Sequence, residues 1–422
     1  MVRKGKFYRI GTIFYFIVSS LLIFGHDGFF QDDALLYFNT VLEDINSLYP
    51  SFKDYNNDFI WHLWPVNFAR FILRIGGNLM CIQFVNSLVS ILIIHLITKL
   101  TFKIFNEKYS KGIFLLCLLY PNFYIWNLSV FTENWLLLFL LLFINIFLSE
   151  LKYKYIILGL LLGLIDYVRE SSPIIILGLI IYKLLYDNHK LFYRFLNLLV
   201  LSFFWVVSSI IIGMIHKSAT GIYINKGVVS GYNLVMTLGS EDRMSYSLKA
   251  FKKGNIGYIE NSENRSFYYK DSAWKSLGLK CITANPIEYV SSFPKKIIPM
   301  YINDLTYVNF SYKNYNWFKL VSEYRSGTGL ISLLFKYSFL FIINIIFWGI
   351  LLFQVYRSFI LVKESNSKGV LLVILSLIFT ALPLFFTSAS RYHVIGFVLL
   401  LPLCGFDLKV LTDGILKKWK IR

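Results

Sequence analysis

Residues 26–65, HDGFFQDDALLYFNTVLEDINSLYPSFKDYNNDFIWHLWP, carry seven carboxylates (Asp27, Asp32, Asp33, Glu43, Asp44, Asp54, Asp58) of the 24 in the chain. Asp32 and Asp33 follow directly on an apolar run, and a carboxylate near a membrane surface can take the proton of an attacking hydroxyl. Partial loss of hydration makes it a better base. The plainer reading is a solvated loop end, with Asp near the start of a short helix. Asp58, 25 residues on, gives the same stretch a second acid, so one carboxylate can act as base and the other can position an acceptor. Further ionisable residues stand at the ends of other apolar runs: Glu133 in SVFTENWLLLF, Arg169 and Glu170 in DYVRESSP, and Arg391, Tyr392 and His393 in TSASRYHVIGF. Ionisable groups at membrane depth are costly and by default mark function. An Arg169–Glu170 or Arg169–Asp166 structural ion pair is the alternative there. Arg391 has the planar fork that holds a phosphate bidentately, and anchoring by Arg391 and Tyr392 is its alternative.

The elements that must position these residues are apolar segments. The chain has 422 residues, 56% hydrophobic and 16% charged, with a mean hydropathy of +0.59. Repeated apolar runs of about 20 residues mark a polytopic membrane protein. Ten spans are expected: 10–25, 79–98, 112–127, 131–149, 155–168, 172–186, 196–215, 330–354, 369–388 and 394–410. With the N-terminus inside, the cytoplasmic segments are 1–9, 99–111, 150–154, 183–195, 355–368 and 409–422, with Asp407 at the last span's end. They hold 21 Lys+Arg against 6 Asp+Glu, a net of +15; the remainder holds 21 against 18, a net of +3. The positive-inside rule selects this orientation, with both termini cytoplasmic in a plasma (inner) membrane. The formal charge of +18 is thereby assigned to membrane topology and not to nucleic acid.

The whole chain, 1–422, reads as one integral membrane domain with two external loops, 26–78 and 216–329. In the second loop, Asn285-Pro286 is an N-cap and N1 pair for a helix through about Met300, and 266–284 suits a helix lying on a membrane surface. In the first, Trp61, Trp64 and Arg70 are expected at headgroup level on a surface helix. Cys81, Cys117 and Cys404 lie in apolar runs and Cys281 alone in a polar region, so no disulfide framework is expected. The six histidines, His26, His62, His95, His189, His216 and His393, lack metal-ligand spacing. A divalent metal would require the loop-one carboxylates to gather it, and no cofactor is indicated. No Walker motif and no GxGxxG is present. High Phe, Ile, Lys, Asn and Tyr content suggests an AT-rich bacterial genome.

An acidic pair after the first span, a Trp/Pro-containing surface helix, Glu133 at a hairpin top, Arg169 at the next and a closing Arg391-Tyr392 occur in one order. This order resembles the GT-C fold of membrane glycosyltransferases, especially bacterial relatives of protein O-mannosyltransferases and of the lipid A aminoarabinose transferase (glycosyltransferase 39-like). The resemblance implies an all-α polytopic fold of about ten transmembrane helices. It places the catalytic base at Asp32 and a second loop-one acid at Asp58. Where that family commonly has Asp-Glu, this chain has Asp32-Asp33; where it has Pro-Pro, this chain has Pro65 alone. The implied partners are a polyprenyl-phosphate-linked sugar donor, a glycan, lipid or protein acceptor, and membrane lipids. The implied chemistry is inverting transfer, with Arg391 and either Arg169 or Lys295 and Lys296 balancing charge on the departing phosphate. An O-antigen-type polysaccharide polymerase and a lipid-linked sugar transporter are the alternative functions. Transport would call for charges within central spans, whereas these gather at span ends.

Overall fold

The computed structural model describes residues 2–25, 63–128, 132–186, 190–220, 223–225, 230–239, 248–260, 267–301, 338–381, 384 and 394–410. The described residues form helices and connecting turns, without a strand. Asp32, Asp33, Asp58, Arg391, Tyr392 and His393 lie outside them.

The helices are, in chain order, α1 (Val2–Gly25), α2 (Leu63–Arg74), α3 (Leu79–Ile104), α4 (Glu107–Leu119), α5 (Asn122–Ile125), which runs into a 3₁₀ turn at Trp126–Leu128, and α6 (Glu133–Phe147). They continue with α7 (Lys154–Val168), α8 (Ser172–Tyr186), α9 (Leu191–Thr220), α10 (Ser230–Leu238), α11 (Phe267–Ala284), α12 (Pro286–Ser291) and α13 (Phe293–Tyr301). The last are α14 (Ser338–Lys363), α15 (Ser367–Ala381) and α16 (Val394–Leu400).

Four described helices are long and apolar enough to cross a membrane: Gly5–Gly25, Leu79–Ile104, Leu191–Ser218 and Ile345–Lys363. The other expected spans are shorter. The helices α6, α7, α8 and α15 have 15 residues each, about 22 Å of rise against a hydrocarbon core of about 30 Å. The run 112–127 is not one span. Pro121 lacks an N–H and excludes the helical region for the residue before it, so Tyr120 is extended (φ −81°, ψ 113°) and the helix stops at Leu119. Conversely, α14 continues to Lys363, nine residues beyond the expected end at 354. Polar residues such as Gln354 and Arg357 prolong it as well as apolar ones, because both are good helix formers. The expected helix 286–300 is two pieces, α12 and α13, and Asn285 makes no side-chain cap bond. Pro294 accounts for the break, since it cannot donate back to Val290.

Most of the bundle shares one apolar core, including Tyr15, Ile93, Ile97, Leu137, Leu141, Leu162, Leu375 and Phe397. Polar seams lock it. The Tyr15 hydroxyl donates to Phe123 O at 2.5 Å and accepts from Asn127 Nδ2 at 2.9 Å, while Ser90 Oγ donates to Asn127 Oδ1 at 2.7 Å. In an apolar surround such bonds hold helices together where burial alone cannot distinguish a helix from lipid. The helices α7 and α9 approach each other closely. A Cβ at Gly159 would lie 2.5 Å from Leu201 O, and one at Gly163 would collide with Ser208. Glycines four apart are what allow the two backbones to meet.

The helices α3 and α6 run in the same direction. Gln83 Nε2 donates to Leu128 O, just before α6, whereas Asn145 Nδ2, near the end of α6, donates to Leu96 O. The bundle therefore has one end where α6 begins and α7 finishes, and an opposite end where α3 and α6 finish.

Candidate functional site

At the first of these ends, four segments converge. The turn between α7 and α8 is fixed from within by Asp166, which is buried. Its Oδ1 accepts from the backbone N–H of Ser171 (3.0 Å) and Ser172 (2.8 Å), and its Oδ2 from Trp205 Nε1 (2.8 Å). Ser172 Oγ donates back to Leu162 O at 2.8 Å. With its carboxylate committed there, Asp166 is not the partner of Arg169. Arg169 Nη1 instead lies 3.6 Å from Glu133 Oε1, with 30% of the Arg169 side chain and 6% of the Glu133 side chain exposed. The contact spans 36 positions, because the turn extends Arg169 (φ −163°, ψ 128°) away from its own helix.

Glu133 opens α6. A carboxylate in a first turn faces unpaired amide N–H groups and the positive end of the helix dipole. Thr132 Oγ1 adds a bond to Glu133 Oε2 at 3.3 Å.

The third segment is α2. Its amphipathic face was expected at headgroup level, yet Arg70 is only 5% exposed. Arg70 Nη1 reaches Asn67 Oδ1 at 3.4 Å, and Asn67 Nδ2 donates to the Tyr167 hydroxyl at 2.6 Å, two residues before Arg169. Trp64 packs on Trp135 (4.9 Å between centroids), Phe139 (5.8 Å) and Tyr167 (6.1 Å). The Trp and Arg pattern of an interfacial helix is equally that of a helix sealed to its neighbours by an aromatic seam.

The fourth is a small module from the stretch expected as the second external loop. Its core is Tyr232, Val235, Met236, Ala250 and Trp274. Gly231 lets α10 lie directly against Asp271 O and Lys275 N of α11, where a Cβ has no room. Asp271 Oδ1 accepts from Tyr232 N at 2.8 Å, and Trp274 Nε1 donates to Gly257 O at 2.8 Å. Burial pushes the Asp271 carboxyl above the usual carboxylate range. The Tyr232 and Gly231 amides and Lys275 work against that rise, and Glu170 adds to it. The Glu170 influence brings the module near the α7–α8 turn.

Thus Glu133, Arg169 and Glu170 are brought to one end of the bundle, joined by Asn67, Tyr167 and Asp271. Lys296 is engaged differently. Its ammonium is fully buried, donates to Leu384 O at 2.7 Å and sits over the rings of Tyr289 (5.2 Å) and Phe293 (5.9 Å). Lys295 lies on the same helix, its side chain outside the described residues. Among the described residues no group of three or more His, Cys, Asp or Glu could hold a metal ion.

These features define a helical protein of membrane-spanning character with an ion-paired, aromatic-sealed polar end. No family model matches the chain, and no curated protein matches it by sequence. Among solved structures it is similar to the Archaeoglobus fulgidus oligosaccharyltransferase in its apo form (TM-score 0.48, 12% identity, 98% of this chain and 51% of that one). The same protein's complex with Zn and sulfate gives a TM-score of 0.46 at 11% identity, over 95% and 49% of the two chains. The archaeal oligosaccharyltransferase AglB from Archaeoglobus fulgidus, with an inhibitory peptide and a dolichol-phosphate, gives 0.46 at 12% identity, over 97% and 51%. The chain spans about half the length of these proteins.

Proposed function

We propose that the chain is a membrane glycosyltransferase. It moves a sugar from a polyprenyl-phosphate carrier to a cell-envelope acceptor on the non-cytoplasmic face of a bacterial plasma membrane. The observation that carries this reading is the Glu133–Arg169 pair at one bundle end. Asp32 and Asp58 fall in the sequence between α1 and α2, and α2 packs on the same end through Trp64 and Asn67.

In the proposed reaction Asp32 takes the proton of the acceptor hydroxyl, whose oxygen attacks the anomeric carbon. The bond from that carbon to the carrier phosphate breaks with inversion, and its electron pair leaves on the phosphate oxygen. Arg169, held by Glu133 and still partly exposed, balances the growing phosphate charge together with Arg391. Guanidinium suits this task, having five N–H donors in a fixed fork. Lys296, buried and bonded to Leu384 O, serves as a tether of α13. Asp58 positions the acceptor.

The test is transfer from a radiolabelled polyprenyl-phosphate sugar by membranes holding equal amounts of each variant. Asp32→Asn lowers the rate by about 10²–10⁴-fold, the usual cost of losing a general base, and Asp33→Asn is milder. Arg391→Lys keeps charge but loses the fork, and weakens donor saturation. Near-normal rates for Asp32→Asn and for the Asp32→Asn/Asp33→Asn double variant would remove the first loop from the chemistry and favour the polymerase.

A further inference from the structure

The opposite end of the bundle holds a different concentration of charge. Lys103 comes from the last turn of α3, Lys154 from the first residue of α7 and Lys368 from the first turn of α15. Hydrogen bonds fasten the three ends together. Lys103 Nζ donates to Asn145 O (2.7 Å), Lys154 Nζ to Phe147 O (3.0 Å) and Ser149 O (2.9 Å), and Lys368 Nζ to Lys103 O (3.2 Å). Lys99 stands exposed one turn before Lys103, and it, Lys154 and Lys368 are close enough to repel the Lys103 ammonium. Among the described residues Lys99, Lys103 and Lys368 form no ion pair. Glu150 and Glu364, on adjoining turns, are exposed.

Helix-end carbonyls account for part of this arrangement, since each C-terminus carries about half a negative charge. They do not account for four cations at one rim. Each ammonium has three donors, and Lys103 and Lys368 commit one apiece to the carbonyls named. Beside the lysines, Phe102, Leu151 and Tyr153 expose apolar side chains. A soluble anion has no use for such a border; an acyl chain does.

We propose that this rim binds the phosphodiester headgroup of an anionic membrane lipid, seated between the ends of α3, α7 and α15. Basic pockets between helix ends are suited to such headgroups, each cation contributing about 1 kcal/mol near the surface. The site is separate from the glycosyl-transfer reading and survives its failure.

The test is binding of short-chain phosphatidylglycerol to the full chain in detergent, followed by the shift in melting temperature. Phosphatidylcholine of the same chain length and inorganic phosphate are the other two arms. The expected result is a saturable shift with phosphatidylglycerol that weakens with added salt, and little with either comparison compound. Lys99→Gln/Lys368→Gln removes two cations and lowers affinity roughly 30-fold, while Lys253→Gln, in the loop before α11, leaves it unchanged. If the double variant does not fold, Lys99→Gln alone, roughly a 5-fold loss, carries the test. Equal binding of phosphatidylcholine, or an affinity of the double variant within threefold of the parent, would overturn the proposal. A shift of the same size with inorganic phosphate alone would overturn the lipid assignment in favour of a soluble anion.

Discussion

The Glu133–Arg169 pair predicts an asymmetry that a surface salt bridge would not show. At 3.6 Å and an effective dielectric constant of about 20, the attraction is about 4–5 kcal/mol before desolvation is subtracted. Glu133 is the nearly buried partner, and Arg169 reaches solvent. Arg169→Met therefore strands a buried carboxylate, which in a fully buried pair costs about 3–5 kcal/mol; the partial exposure of Arg169 places this case near about 3 kcal/mol. Glu133→Gln keeps the shape and lets Arg169 turn to water, for a cost of about 1 kcal/mol. The double variant costs less than the sum by about 1 kcal/mol or more, and the cycle cancels whatever else each residue touches. The assay is denaturant or detergent-titrated unfolding of the four proteins at equal lipid content. Equal costs for the two single variants, or a coupling below about 0.3 kcal/mol, would refute the claim that this contact is a desolvated pair.

Three other outcomes are expected. Cysteines introduced at exposed sites in 248–260 label with an impermeant thiol reagent in whole cells, and cysteines in 99–111 do not; the reverse pattern would invert the assigned orientation. Asp271 is held above its unfolded range, so in the window between the two values the folded state binds more protons than the unfolded one. Stability from this group is full below the unfolded value and is lost as pH rises through the folded one. Asp271→Asn therefore flattens the fall of melting temperature between acidic and neutral pH, and an unchanged slope would count against burial as the cause. Gly159→Leu drives a side chain into Leu201 O and Phe204 Cβ, costs about 3 kcal/mol or more and lowers the yield of monodisperse protein; a normal yield and melting point would mean that α7 and α9 need not touch.

The helical character and the residues gathered at the α6–α7 end were legible in the sequence to different depths. Glu133, Arg169 and Glu170 stand out because ionisable groups beside apolar runs are rare. Their pairing was not legible, because Asp166 and Glu170 are nearer in sequence and only the folded turn commits Asp166 to amides and Trp205. Asp271 left a fainter sign: it is the one acid in 267–284, with Trp274 and Gly278 at i+3 and i+7 marking the buried face. Arg70 misled because hydropathy sees the Trp and Arg pattern but not the helix opposite it. The burial of Lys296 was not legible, because a lysine in a polar loop is ordinarily solvated, whereas two rings and a carbonyl enclose this one. Span counting failed at Pro121 for a local reason, visible in the sequence, that apolar content overrides.

The short helices α6, α7 and α8 bear on how the chain is made. About 22 Å of helix is a poor substrate for one-at-a-time release into lipid. Asp166 Oδ2 and the Gly159 and Gly163 surface meet their partners in α9, at Trp205, Leu201 and Ser208. During synthesis, 39 further residues must therefore emerge after Asp166 before its carboxylate finds the Trp205 indole. Until then, α6 to α8 carry a half-satisfied carboxylate and an open small-residue groove that the insertion machinery has to shelter. The order of translation thereby makes α9 the element that releases its predecessors, so a ribosome stalled before Trp205 should leave this segment bound to the translocon and sensitive to quality-control proteases.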